Sequence, residues 1–188
     1  MDKGDLQGAK SCFDAAIRID QRIWPAYIDR AEVFSKMGQW RLALQDCDTA
    51  ARLQPKFYRT FIVRAMVYRD LGRCGDALAD LNTILSFHGG EEIDALALSR
   101  RALVRATCSD PAVRDPKLAL ADAKQACEID RWKKADYMAI LALACAVNGD
   151  FDSAVRYQGQ AIDRGKYKGA ELRRAQERLS QFERHHQP

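Results

Sequence analysis

Apolar positions recur at helical spacing along almost the whole chain. From Arg30 to Leu53 the sequence RAEVFSKMGQWRLALQDCDTAARL carries one such pattern up to Gly38 and a second after it, and Pro55 follows. The pattern returns from Arg64 to Leu85 as RAMVYRDLGRCGDALADLNTIL. Arg30 and Arg64, Ala31 and Ala65, Gly38 and Gly72, Ala43 and Ala77, and Asp46 and Asp80 are each 34 residues apart. A fixed period of this size predicts stacked helix–turn–helix units, in which each helix pair buries its apolar face only against its neighbours.

Read in order, residues 1–23 supply one helix, from Asp5 to Ile19, with the stripe Leu6, Ala9, Phe13, Ala16 and Ile17. Gly4 and Ala9 stand 34 residues before Gly38 and Ala43, so this helix is the second of a truncated repeat. The expectation is that one side of the stripe is left open, in a fragment of a longer protein or against another copy. Repeats follow at 24–57 and 58–91. In the first, helices run from Pro25 to Met37 and from Trp40 to Leu53; in the second they end at Leu71 and run from Gly75 to Phe87.

The repeat at 92–131 is irregular. Its helices, Glu92 to Thr107 and Pro116 to Ile129, are joined by CSDPAVRDP in place of a glycine turn. The arginine-to-aspartate spacing, from Arg101 to Asp122, is five residues longer than in the earlier repeats. Asp115 before Pro116 reads as a helix cap followed by a proline in the first turn. The repeat at 132–165 restores the unit with Ala142, Gly149, Ala154 and Ala161. Gly159 inside its second helix costs about 1 kcal/mol against alanine, a cost that a close backbone approach there would offset. A final helix, 168–185, has the stripe Ala170, Leu172, Ala175, Leu179 and Phe182 with charged residues around it, and reads as a cap on the last pair.

With Ala31, Ala65 and Ala142 seven residues before the inter-helix glycines, Phe34 and Tyr68 four before, and Ala43, Ala77 and Ala154 five after, the chain resembles tetratricopeptide-repeat proteins over nearly its whole length. The run from Arg105 to Asp130, followed by a tryptophan and NGDFDSAVRYQGQAI, resembles bacterial members of that family. The resemblance implies an all-α, right-handed α-solenoid of antiparallel helix pairs with a C-terminal capping helix. It further implies a concave face lined by the first helix of each pair, used to bind a protein segment.

On that face the resemblance places Ile28, Glu32, Ile62, Met66, Ser99, Leu103, Ala139 and Leu143, with Arg59 and Arg69 flanking. Family members that grip chaperone C-termini carry lysines and asparagines there. Ile28, Glu32, Ile62 and Met66 stand in those places, so the carboxylate clamp is absent. An apolar groove with a methionine suits an apolar or helical peptide. Packing of the same residues on the chain's own last helix, or on another copy, is the competing expectation.

Composition narrows the alternatives. The 188 residues are 47% hydrophobic and 30% charged, enough for a sizeable core and too mixed for disorder. The net charge is +4. Basic residues cluster at Arg131, Lys133 and Lys134 and again from Arg164 to Arg178, but Glu171, Glu177 and Glu183 interleave, which makes nucleic-acid binding a minor alternative. A start without an apolar signal core predicts a cytoplasmic protein. Cys12, Cys47, Cys127 and Cys145 fall at apolar helical positions, and the six cysteines read as buried, reduced thiols rather than disulfides or zinc ligands. His185 and His186 read as a solvated tail. Arg30 with Asp46, Arg64 with Asp80 and Arg101 with Asp122 read as an internal brace repeated with the fold. Neither a nucleophile–histidine pair nor a phosphate-cradling loop occurs, so the expectation is a non-enzymatic binding scaffold without cofactor or metal. Self-association through the open first helix is the main alternative.

Overall fold

The computed structural model describes residues 3–186; Met1, Asp2, Gln187 and Pro188, which the expected boundaries included, lie outside the described residues. Among the described residues the structure is all-helical, with ten helices. They fall into two compact units, Met1–Phe87 and His88–Pro188.

The first unit holds α1 (Lys3–Ile19), α2 (Trp24–Lys36), α3 (Trp40–Leu53), α4 (Tyr58–Asp70) and α5 (Cys74–Ser86). α2 packs on α3 and α4 on α5 as hairpins, with α1 against α2 and α3 against α4. The core is small-residue packing around a few large side chains. Ala31, Ala43, Ala50 and Cys47 are fully buried with Ile28, and Phe34, Val63 and Val67 fill between them. An alanine at a crossing point lets two helix backbones approach closely, and an added methylene there costs about 1–3 kcal/mol in overpacking. Trp24 and Phe57 pack against this cluster, their rings tilted with centroids 4.4 Å apart.

The turns inside the hairpins explain the periodic glycines. Gly38 and Gly72 have φ of 73° and 74°. That left-handed conformation lets the N–H of Gln39 reach the carbonyl of Phe34, and that of Arg73 the carbonyl of Tyr68, both at 2.8 Å. These bonds close each helix end where a side chain at the glycine would be strained.

The second unit holds α6 (Glu91–Thr107), α7 (Pro116–Ile129), α8 (Ala135–Val147), α9 (Phe151–Arg164) and α10 (Gly169–His186). α6 pairs with α7, α8 with α9, α7 and α6 also meet α8, and α10 packs on α9. Beyond its first turn α8 is apolar, and Tyr137 to Ala142, Ala144 and Cys145 are all buried. A helix of that composition has to be covered over most of its surface, and here α6, α7 and α9 pack on it. Gly149, with φ 82°, closes α8 as Gly38 closes α2, through Asp150 N–H to Cys145 O at 3.0 Å.

The irregular connection is built without glycine. Asp110 turns the chain by accepting from Ala112 N–H on its side chain and from Arg114 N–H on its carbonyl. Asp115 then caps α7 by accepting from Leu118 N–H at 2.9 Å. At the end of α7, Arg131 and Trp132 take φ of 56° and 59°. The Asp130 carboxylate holds that strained pair by accepting from Lys133 and Lys134 N–H. Trp132 stacks on Tyr157, 5.7 Å away.

Several expectations are corrected. Gly159 has open space where a Cβ would stand, so no close backbone approach explains it. In α10 the covered stripe is narrower than the pattern suggested: Ala175 and Phe182 are buried, while Ala170 is exposed. His185 is exposed, yet its ring stacks on Phe151 at 5.3 Å, so it is an anchored helix end rather than a free tail. Cys12 is an exposed thiol because it lies on the outer side of α1. The expectation of reduced thiols fails at Cys74 and Cys108, which are each disulfide-bonded. Cys47, Cys127 and Cys145 are buried free thiols, and burial pushes them up to about 12, 12 and 11.

Candidate functional site

In the first unit several arginines are held by carboxylates. Arg30, on α2, donates through Nε and Nη2 to both oxygens of Asp46 on α3, each at 2.7 Å. Its Nη1 reaches back to Asp14 on α1, also at 2.7 Å. Arg64 repeats the arrangement from α4: both oxygens of Asp80 at 2.8 Å on α5, and Asp48 on α3 at 2.8 Å. Each guanidinium also lies over two aromatic rings, Tyr27 and Phe34 for Arg30, and Phe61 and Tyr68 for Arg64. The forks to Asp46 and Asp80 raise both guanidiniums above their ordinary range, so they stay charged although partly buried.

The brace therefore joins neighbouring repeats as well as the two helices of one repeat. Sequence reading found the inner partner and missed the outer one. The signal was present, since Asp14 and Asp48 are themselves 34 residues apart. In the second unit Asp122 takes both Arg101, through a fork at 2.9 and 2.8 Å, and Arg105.

The residues expected on the concave face divide by burial. Ile28 has no exposed surface and sits within the α2–α3–α4 core, so it supports that face from beneath instead of lining it. Ser99, on α6, is likewise buried, at 1% exposure. Glu32, Ile62, Met66 and Arg69 are half-buried. Arg59 binds Glu32 at 2.7 Å and Asp29 at 2.8 Å, tying α4 to α2. Arg69 pairs with Asp70 and touches the Met66 sulfur at 3.7 Å.

In the second unit Leu103, Ala139 and Leu143 come together. With Ile140 they floor a cavity of about 330 Å³ between α6, α8, α9 and α10. The last helix forms one wall of this groove without filling it. Tyr167, just before α10, donates to Asp136 at 3.0 Å across the rim. Burial first, and then Asp136, pushes its hydroxyl up to about 12. Gln158 is fully buried at this site. Its amide donates to the Ala175 carbonyl of α10 at 3.3 Å, and its oxygen has no partner.

Among the described residues no cluster of three or more histidine, cysteine or carboxylate side chains could hold a metal ion. Among the same residues no helix is long and apolar enough to cross a membrane.

No protein-family model matches the chain, and no curated protein matches its sequence. Solved structures do. TTC0263, a thermophilic tetratricopeptide-repeat protein of Thermus thermophilus, is 21% identical at a TM-score of 0.77, over 94% of this chain and 92% of that one. A tetratricopeptide-repeat protein from Parabacteroides merdae is 22% identical at 0.67, over 98% and 68%. The Cut9–Hcn1 hetero-tetramer structure of APC/C is 19% identical at 0.81, covering 98% of this chain but only 34% of that one. The fold is that of the tetratricopeptide repeat.

Proposed function

We propose that the protein is a non-catalytic interaction scaffold whose first helices bind a protein segment, with the second unit as the main seat. One observation carries this reading: Leu103, Ala139 and Leu143, expected to face a ligand, line one open groove that the last helix borders but leaves unfilled. Apolar side chains held in a concave groove open to solvent favour burial of a partner's apolar residues, at about 25 cal/mol per Å² removed from water. Half-buried Ile62 and Met66 in the first unit extend the same character, while Arg59, Glu32 and Arg69 are fixed by each other and by neighbouring aspartates. A bacterial, cytoplasmic setting accords with the sequence reading.

Panning a random peptide library on the full chain tests this. Selected peptides should lose binding to Leu143→Glu, and those seated on the first unit should lose it to Met66→Glu, with the helical circular-dichroism signal unchanged. Peptides bound equally by both variants sink the reading. Self-association is favoured by Ile19, which is 88% exposed at the end of α1. Light scattering that shows a monomer across a concentration series removes it.

A further inference from the structure

Three arginines line the groove of the second unit: Arg100 from α6, and Arg174 and Arg178 from α10. Arg30, Arg59, Arg64 and Arg105 are each answered by a carboxylate. Among the described residues Arg100, Arg174 and Arg178 form no ion pair. The same lining carries two carboxylates, Asp136, which accepts from the Tyr167 hydroxyl, and Glu171, so three positive charges stand against two negative ones.

Two buried polar atoms point the same way. The Arg100 Nε donor and the Gln158 Oε1 acceptor, both in residues lining this groove, have no hydrogen-bond partner. Leaving such a group unsatisfied costs about 1–3 kcal/mol. Together they ask for one acceptor and one donor, which a peptide unit supplies with its C=O and N–H. A fatty acid would bring a carboxylate and an apolar tail, but no donor for Gln158.

We infer that the groove of the second unit takes an acidic peptide segment: apolar side chains seated on Leu103, Ile140 and Leu143, and carboxylates against Arg100, Arg174 and Arg178. This rests on the scaffold reading above and adds the partner's chemistry to it. Both orphan atoms are buried. For the segment's main chain to reach Gln158, its 3.3 Å bond to Ala175 has to give way. Arg174 and Arg178 are exposed on α10, so their charge can be changed without disturbing the core.

The test uses the full chain and a short fluorescein-labelled peptide of alternating leucine and glutamate with an amidated C-terminus, read by anisotropy. It should bind, its leucine–lysine counterpart should not, and added salt should weaken it. The double variant R174E/R178E should weaken binding by at least about tenfold, a change of about 1.4 kcal/mol, with Tm and helicity unchanged. Glu171→Gln should tighten it. A free-acid version that binds tighter than the amide places the terminal carboxylate at the arginines; equal binding places side chains there. Undiminished binding by R174E/R178E overturns the inference. So does a failure of the leucine–glutamate peptide beside Leu143-dependent binding of a neutral library peptide, an outcome that keeps the scaffold reading. No binding by any peptide overturns both.

Discussion

At the scale of single residues, position within a repeat decides chemical character. Cys12 and Cys47 both fall on the apolar spacing of their helices, yet one is exposed and the other has no accessible surface. The sequence pattern could not separate them, because α1 has α2 on one side only while α3 is covered by both α2 and α4. Reactivity follows: a thiolate forms readily only where water can solvate it. A maleimide at pH 8 should label Cys12 in the native protein and reach Cys47, Cys127 and Cys145 only after denaturation, as read by peptide mass mapping. Early labelling of Cys47 would contradict the packing of α3 between α2 and α4. Ile28 teaches the same lesson. Its place on the first helix was legible, but whether it faced out or in depended on how α4 sits against α2.

Single helices were legible to within a residue or two, because glycine, proline and aspartate set their ends chemically. Trp40 to Leu53 and Pro116 to Ile129 start and stop where the sequence predicts. Less legible was what each helix touches beyond its own hairpin, and the outer partner of Arg30 is the clearest case. Asp14 is lowered from its ordinary 3.8, first by the bond from Lys10 at 2.8 Å and further by Arg30, against the opposing effect of burial. A carboxylate lowered in the folded state contributes stability above its unfolded value, and that contribution is lost as pH falls through the folded value. Asp14→Asn should therefore lower Tm near pH 7, and the gap from the parent chain should close as the pH is taken below about 4. A gap that persists in acid would mean that Asp14 acts through packing instead of charge. The groove in the second unit was half legible. Leu103, Ala139 and Leu143 were identified from their repeat positions, but Arg174 and Arg178 read as an ordinary solvated face, because nothing in a sequence aims α10 at α8.

For the whole molecule, the repeat determines fold class and leaves the ligand open. Solved structures of the same fold at 19–22% identity share the helix pairs while keeping few side chains in common. The 34-residue translation that carries Arg30, Asp14 and Asp46 onto Arg64, Asp48 and Asp80 has a consequence for how such a chain can grow. Suppose residues 24–57 are duplicated in tandem. The copied arginine meets the Asp48 that Arg64 uses now, and the copied Asp48 is handed on to Arg64, so no bond is orphaned at either seam. The lengthened chain should fold and melt at or above the parent temperature, since stability in stacked repeats adds over units and their interfaces. A duplication one residue shorter should melt lower, because it turns the next arginine away from its outer aspartate. Calorimetry on the two insertions decides the matter. The brace acts as a splice rule, one that admits whole repeats and rejects partial ones.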